Sequence, residues 1–208
     1  MKVSIIAFDD FTDIDVFFMW DLLNRVERSD WKVQILGERC CVESSTGMRI
    51  PVHARLEEAN SSDVVLFASG KGTRRKMYDE PFLAAFNLDS ERQMIGSMCS
   101  GALLLAALGL LEGKRATTYP TSKELLESMG VTVVEESFVR EGNVATAAGC
   151  LAAQYLVGWV IEEKLGKLER DAVLKLIQPV GEGLSFSDFA PKKVTSMGNV
   201  AGTKSHVQ

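Results

Sequence analysis

The chain has 208 residues, of which 46% are hydrophobic, and its formal net charge is -5. This length and composition are typical of one globular domain with a sizeable core. The acidic balance and the lack of a basic block argue against a nucleic-acid partner, and no apolar run is long enough to span a membrane.

The cysteines and the first residues bear on the compartment. Adjacent cysteines such as Cys40 and Cys41 do not form a usual structural disulfide, and with Cys99 and Cys150 they lack the spacing of a metal site. Val3–Phe8 has the pattern of a buried strand rather than of a leader peptide. We therefore expect a reduced, cytoplasmic protein that holds neither a metal ion nor an organic cofactor.

In the first half of the chain, short apolar runs alternate with helical patterns. The predicted strands are Val3–Phe8, Trp31–Leu36, a looser strand region at Met48–His53, Asp63–Ala68 and Met94–Met98. The predicted helices are Ile14–Arg28, Glu80–Asn87 and an Ala- and Leu-rich helix that follows Cys99 and ends near Gly109.

The second half continues this alternation. It contains a short strand at Ala116–Tyr119, a helix at Pro120–Met129, a hairpin of Phe138–Arg140 with Asn143–Ala147, and helices at Leu151–Leu165 and Asp171–Ile177. We expect one domain over residues 1–180 and an irregular tail over residues 181–208.

Alternating strands and helices predict an α/β fold with a mostly parallel sheet between two helical layers, a flavodoxin-like three-layer sandwich. Ligands of such folds bind beyond the carboxyl ends of the strands. Three places in the chain have that position: the loop Phe8–Asp15, the loop Ser69–Thr73, and Cys99.

Cys99 lies between a predicted strand and a predicted helix, followed by the small residues Ser100 and Gly101. Backbone N–H groups at a helix N-terminus favour a thiolate, so we predict that Cys99 is a strongly acidic, reactive thiol. The alternative is a buried and inert thiol, since cysteine is often a core residue.

Two segments resemble the ThiJ/PfpI superfamily, relatives of the class I glutamine amidotransferases. Cys99-Ser-Gly-Ala-Leu-Leu-Leu-Ala, followed by Gly109–Thr118, looks like the nucleophile elbow of that superfamily and the segment after it. Thr12-Asp-Ile-Asp15 looks like the loop with its acidic partner. The likeness covers about residues 1–166 and is most similar to isonitrile hydratases, which have an aspartate at the position of Asp15 and a small hydroxyl residue at that of Ser100.

The chain departs from the superfamily pattern at positions near the substrate. The usual Pro-Gly-Gly loop reads Ala68-Ser69-Gly70, and the His-Trp of the hydratases reads Tyr119-Pro120. Helix 1 carries Phe18-Met19 in place of a frequent Gly-Pro, and the usual Gly-rich segment reads Ala147-Ala148-Gly149. The resemblance therefore implies the same catalytic framework with altered substrate-facing residues.

The resemblance also implies roles for individual residues. Cys99 is expected to be the nucleophile, Asp15 to hold and deliver a proton, and Ser100 to place a hydroxyl beside the adduct. Oxyanion or substrate contacts are expected from Gly70 with Lys71, the Ser100 backbone N–H, Thr118, Tyr119 and Gly149. Cys150 is expected to be a core residue, a pocket residue or a thiol that resolves oxidised Cys99.

The histidine count bears on the reaction type. His53 lies before the Asp63 strand and His206 in the tail, so neither stands shortly after Cys99, where the related proteases place their histidine. We therefore expect a cofactor-free, cysteine-dependent enzyme on a small electrophile. The resemblance implies a homodimer that converts an isonitrile into an N-formamide. The alternatives are a non-enzymatic cysteine redox or stress sensor and a glyoxalase-like enzyme, although the latter usually carries a glutamate on the acidic loop.

Overall fold

The computed structural model describes residues 1–180. Its strands are β1 (Lys2–Ile6), β2 (Lys32–Gly37), β3 (Cys41–Glu43), β4 (Arg49–Pro51), β5 (Ala54–Arg55), β6 (Val64–Phe67), β7 (Met94–Met98), β8 (Arg115–Ala116), β9 (Thr132–Val133), β10 (Phe138–Glu141) and β11 (Val144–Ala147). Seven of them form the central sheet in the order β10-β11-β7-β6-β1-β2-β5. Neighbours in this sheet are parallel except β10 and β11, which form an antiparallel hairpin.

The α-helices flank this sheet and are joined by short 3-10 helices. The α-helices are α1 (Asp13–Asn24), α2 (Thr73–Lys76), α3 (Glu80–Ala84), α4 (Ala102–Ala107), α5 (Lys123–Ser128), α6 (Ala153–Leu165) and α7 (Lys167–Lys175). The 3-10 helices are Leu56–Ser61, Cys99–Gly101, Pro120–Ser122 and Cys150–Ala152.

The sheet is covered on both faces because alternate side chains of its central strands enter different clusters. Ile5 and Leu66 belong to the cluster that includes apolar residues of α1, α6 and α7. Ile6 and Val65 belong to the second cluster, which includes residues of α3, α4 and α5. This arrangement confirms the predicted α/β fold with a mostly parallel sheet between two helical layers, and it explains why these strands read as continuous apolar runs.

Several predicted elements are shorter or differently divided than expected. The first helix ends at Asn24 rather than at Arg28, and the Trp31 indole N–H donates to the Leu23 carbonyl at 3.0 Å close to that end. Within the region Met48–His53 only Arg49–Pro51 forms a strand, β4, which pairs with the unpredicted strand β3. The next strand, β5, begins after this region at Ala54. Both long helices predicted after Cys99 and Cys150 begin instead with a 3-10 turn.

Two further expectations concern the C-terminal tail and membrane-spanning helices. The predicted irregular tail, residues 181–208, lies outside the described residues. Among residues 1–180, no helix combines the length and the apolar character that crossing a membrane requires.

Gly101 is expected to tolerate no side chain, although its backbone angles are helical (φ -57°, ψ -21°). A Cβ atom there would lie 2.7 Å from the Ala68 carbonyl oxygen and 3.1 Å from that of Phe67, at the end of β6. We expect Gly101→Ala to lower the free energy of unfolding in urea by about 1–3 kcal/mol, because backbone must move. The matched control is Gly158→Ala within α6, where the nearest atom belongs to the Leu174 side chain and can shift. Equal unfolding midpoints for both variants would contradict this packing.

Candidate active site

Cys99 occupies a sharp junction between β7 and α4. Its φ of 47° lies in the left-handed region, which is uncommon for a residue with a side chain, while the neighbouring Met98 has an extended backbone. The Thr118 hydroxyl donates a hydrogen bond to the Cys99 carbonyl oxygen at 2.9 Å and so helps to hold the turn. The Cys99 side chain is only 4% exposed, at the carboxyl end of a central strand.

Asp15 supplies the acidic group next to this cysteine. It lies in the first turn of α1 with 0% exposure, and its Oδ2 accepts a hydrogen bond from the Ser69 hydroxyl. Its Oδ1 has no nitrogen or oxygen hydrogen-bond partner within residues 1–180. A carboxylate oxygen of Asp15, Cys99 Sγ and Cys150 Sγ all lie within 4.8 Å of one another. The chain therefore buries a carboxyl group beside two thiols. These three groups are close enough to bind one metal ion, although the spacing of the cysteines along the sequence did not predict such a grouping.

The prediction that Cys99 is an acidic thiol is wrong for the protein as the structure shows it. Burial raises the pKa of Cys99 well above that of an ordinary thiol, and the negative charge of Asp15 raises it further; a hydrogen bond with the Gly149 backbone opposes both effects only in part. Burial, then a hydrogen bond with Asp15, also raises the pKa of Cys150 to about 11. Both thiols therefore resist ionisation while they lie beside Asp15.

Cys99 is expected to react with iodoacetamide more slowly than the exposed Cys40 at about pH 7, because only the thiolate reacts and the raised pKa of Cys99 lowers its thiolate fraction. The rate should keep rising at pH values where an ordinary thiol has levelled off. Asp15→Asn should accelerate Cys99 alkylation at about pH 8, because it removes the adjacent negative charge. Peptide mass spectrometry against pH measures each site. Faster labelling of Cys99 than of Cys40 at about pH 6 would contradict the raised pKa.

The Ser69–Thr73 loop brings Gly70 beside the turn that contains Cys99. The Gly70 N–H faces the Ser100 hydroxyl oxygen at 3.4 Å, and that hydroxyl lies 3.1 Å from the Thr73 hydroxyl. A Cβ atom at Gly70 would lie 2.1 Å from the Asp10 carbonyl oxygen, so the close approach to the Asp15 loop requires glycine. The hydroxyl of Ser100 is therefore held by this loop, and Gly70 stays a predicted oxyanion contact.

The two thiols open into a cavity of about 300 Å³. It is lined by Thr12, Ser69, Gly70, Lys71, Arg74, Cys99, Ser100, Tyr119, Thr121 and Cys150. Lys71 and Arg74 bring positive charge to its mouth, and Arg74 is fixed there by a 2.8 Å hydrogen bond to the Thr121 carbonyl. By contrast, Arg75 pairs with Asp10 at 2.6 Å, and Lys76 pairs with both Glu38 and Asp79, outside the residues that line this cavity. The four cations within residues 71–76 thus divide between the cavity and ordinary ion pairs.

A second, more apolar cleft of about 570 Å³ adjoins the first at Tyr119. It is lined in part by Thr118 and Gly149, which do not line the cavity with the thiols but each form a hydrogen bond with Cys99. Of the predicted site residues, Asp15, Cys99, Ser100, Gly70, Lys71 and Tyr119 come together around the thiols. Sequence reasoning missed Ser69 as the hydrogen-bond donor to Asp15 and Arg74 as a lining residue.

His53 is the histidine that the structure describes, and it takes part in contacts away from Cys99. Its Nδ1 accepts a hydrogen bond from the Ile35 backbone N–H at 3.0 Å, and its ring stacks on Trp20 with a centroid distance of 5.1 Å. It does not line the cavity that contains Cys99. His206 lies outside the described residues.

A cysteine on a strained strand-to-helix turn of a parallel sheet, with an acid from a neighbouring loop, defines a class of α/β proteins. The chain belongs to the DJ-1/PfpI family, whose model matches residues 1–163. The resemblance to the ThiJ/PfpI superfamily is thereby confirmed.

Individual relatives agree with this assignment. The chain is 30% identical to an isonitrile hydratase of Pseudomonas putida, over 76% of this chain and 73% of that protein. It is 26% identical to a deglycase of Pyrococcus abyssi, over 69% of this chain and 87% of that protein. Among solved structures, a ThiJ/PfpI family protein from Pseudomonas syringae shares the fold with a TM-score of 0.78 at 23% identity, over 86% of this chain and 75% of that one. Schizosaccharomyces pombe DJ-1 does so with a TM-score of 0.74 at 20% identity, over 86% of this chain and 100% of that one.

Proposed function

We propose that this protein is a cofactor-free lyase that hydrates an isonitrile to an N-formamide, with Cys99 on a nucleophile elbow. The observation that carries the proposal is the buried Asp15 carboxyl beside the buried Cys99 thiol, with a carboxylate oxygen and Sγ within 4.8 Å of each other. An isonitrile carbon needs one nucleophile and one proton. The Cys99 thiol is the nucleophile, and Asp15 carries the proton. The 30% identity to an isonitrile hydratase supports the same reaction class.

The first step forms a covalent adduct. Cys99 Sγ bonds to the terminal isonitrile carbon while the thiol proton passes to Asp15 and from there to the same carbon, which gives the thioimidate R–N=CH–S–Cys99. Total charge within the site does not change during this transfer. This suits a buried group that resists a second negative charge. The Ser69 hydroxyl fixes the Asp15 carboxyl in position for both transfers.

The second step releases the product. Water adds to the thioimidate carbon, with Asp15 accepting a water proton and returning it to the substrate nitrogen. The carbon–sulfur bond then breaks, the second water proton goes to Cys99, and R–NH–CHO leaves. Gly70 and Ser100 line the same cavity as Cys99, so the Gly70 N–H and the Ser100 hydroxyl are our candidates for stabilising the charge that develops on the oxygen of the tetrahedral adduct.

The lining of the cavities selects the substituent of the isonitrile. The apolar cleft that adjoins the thiol cavity at Tyr119 suits an aromatic or alkyl substituent. The positive charges of Lys71 and Arg74 suit a substituent with a negatively charged group. Peptide hydrolysis is disfavoured. It usually needs a histidine to protonate the amine leaving group, and the described residues that line the cavity include no histidine.

The experiment is a paired assay on one preparation. Consumption of p-nitrophenyl isocyanide is followed in the ultraviolet with the formamide identified by mass spectrometry, beside methylglyoxal consumption and casein cleavage. The proposal expects formamide formation above that of the buffer and no casein cleavage. Cysteine-dependent proteolysis or methylglyoxal turnover without formamide would contradict it, and the second of these would favour the glyoxalase-like alternative.

We also propose that the protein works as a homodimer in a reducing compartment such as the cytoplasm. The catalytic scheme requires Cys99 as a free thiol, which a reducing compartment maintains. Light scattering at micromolar concentration is expected to give twice the chain mass of 22.8 kDa. A mass of 22.8 kDa under these conditions would contradict the dimer.

A further inference from the structure

Cys150 lies opposite Cys99 because two neighbouring strands end side by side. Strands β7 and β11 are parallel, and their register pairs Met98 with Ala147. Cys99 follows directly after Met98, and Cys150 follows three residues after Ala147 at the start of a 3-10 turn. Parallel strands lie about 4.8 Å apart, so the two turns that follow these strands begin side by side.

The sulfur atoms of these two cysteines are also close to each other. Cys99 Sγ and Cys150 Sγ lie within 4.8 Å of each other, both thiols are free, and both line the cavity of about 300 Å³. A small oxidant that enters the cavity therefore meets both sulfur atoms at once. The hydration scheme uses Cys99 and Asp15 but has no role for Cys150.

We propose that Cys99 and Cys150 form a reversible disulfide after a hydroperoxide oxidises Cys99, so that the pair works as a two-cysteine hydroperoxide-reducing centre. In this centre Cys99, on the strained turn, reacts with the peroxide, and Cys150, which lines the same cavity, is the resolving thiol. Asp15, which lies within 4.8 Å of both sulfur atoms, is the proton carrier.

The chemistry balances in two steps. In the first, Cys99 sulfur attacks the terminal oxygen of the hydroperoxide, so an S–O bond forms, the O–O bond breaks, and Cys99 becomes a sulfenic acid by losing two electrons. The Cys99 thiol proton passes through Asp15 to the leaving alkoxide, which departs as an alcohol, or as water from hydrogen peroxide. In the second, Cys150 sulfur attacks Cys99 sulfur, the S–O bond breaks and hydroxide leaves. The Cys150 proton passes through Asp15 to that hydroxide, so water and a disulfide are the products. An external dithiol restores both thiols.

Asp15 lies where it can remove the proton of Cys150 and so make this thiol a better nucleophile. Burial and the hydrogen bond with Asp15 raise the pKa of Cys150 to about 11, so the free thiolate is scarce near neutral pH. The same carboxylate accepts the Cys150 proton during the attack, which removes the need for a pre-formed thiolate. Rapid closure of the disulfide then protects Cys99 from further oxidation to sulfinic acid.

The test uses the full chain and needs no isonitrile. Protein treated with hydrogen peroxide is alkylated, digested with trypsin and mapped by mass spectrometry. We expect the peptides 93–114 and 141–164 to appear joined by Cys99 and Cys150, about 2 Da lighter than their sum, and to separate with dithiothreitol. The peptide with Cys40 and Cys41 is the internal control for non-specific oxidation.

The matched variant is Cys150→Ser, which keeps the size of this half-buried side chain. In it the same peroxide dose should convert Cys99 to sulfinic acid, about 32 Da heavier and unchanged by dithiothreitol, at least about tenfold faster than in the parent protein. Equal rates of sulfinic acid formation in both proteins, or a disulfide from Cys99 to Cys40 or Cys41 alone, would overturn the proposal. Either result leaves the hydration assay unaffected, so the two proposals fail separately.

Discussion

Cys99→Ala is expected to abolish isonitrile hydration, with a fall in kcat of at least about 10³-fold. Cys99 Sγ is the group that bonds to the substrate carbon in the proposed scheme. Cys150, the second thiol that lines the cavity, does not lie on the strained turn and is not expected to replace it. Residual hydration should not exceed what the cavity contributes by binding alone. Formamide production under single-turnover conditions measures the loss.

The control for this variant is Cys40→Ala, which removes an exposed thiol on the surface. It should keep the parental rate, and thermal unfolding should show that Cys99→Ala is folded. Retention of more than about a tenth of the parental kcat in folded Cys99→Ala would contradict covalent catalysis.

Asp15→Asn is expected to lower kcat by about 10²–10⁴-fold, because asparagine cannot carry the proton from sulfur to carbon. Asparagine keeps an oxygen that accepts the hydrogen bond from Ser69, so the buried contact is retained. The same variant should accelerate alkylation of Cys99. Slower turnover together with a more reactive thiol distinguishes lost proton transfer from a damaged site.

The matched control is Asp13→Asn in the same turn of α1. Asp13 is partly exposed and accepts a hydrogen bond from the Thr46 hydroxyl at 3.0 Å, away from the thiols. Its substitution should change kcat less than about twofold. Equal losses from both substitutions would mean that the acid in the reaction is not specifically Asp15.

The fold could be predicted because its signals are local. The central strands are buried on both faces, so Val3–Phe8, Asp63–Ala68 and Met94–Met98 read as mostly apolar runs that overlap the observed β1, β6 and β7. Element ends were less accurate because distant residues decide them. The end of α1 depends on contacts such as that of the Trp31 indole with the Leu23 carbonyl.

The neighbourhood of Cys99 could be predicted for a related reason. Carboxyl ends of parallel strands meet at one edge of a sheet, so a cysteine after β7 and an acid after β1 were expected to lie close together. The direction of the thiol pKa was not predictable, since a helix N-terminus is visible in the sequence whereas burial and the distance to Asp15 are tertiary properties. The approach of Cys150 to Cys99 depends on the register of β11 with β7.

Ser69 shows how one departure from the superfamily pattern acquires a role in three dimensions. In the sequence, Ala68-Ser69-Gly70 is only an unusual version of the Pro-Gly-Gly loop. In the structure, the Ser69 hydroxyl is buried and donates to Asp15, while Gly70 keeps the close backbone approach that the loop needs. The Ser69 hydroxyl therefore supports the acid, and a glycine at this position would lack that contact.

The central claim is that Cys99 forms a covalent bond with the isonitrile carbon, and a quenched-flow experiment with mass spectrometry tests it most directly. Protein is mixed with excess p-nitrophenyl isocyanide, quenched in acid during the first turnovers, and digested. The account predicts that the peptide 93–114 gains the mass of one isonitrile molecule on Cys99 and loses it as formamide appears. Steady formamide production with Cys99 unmodified at every time point would contradict the account.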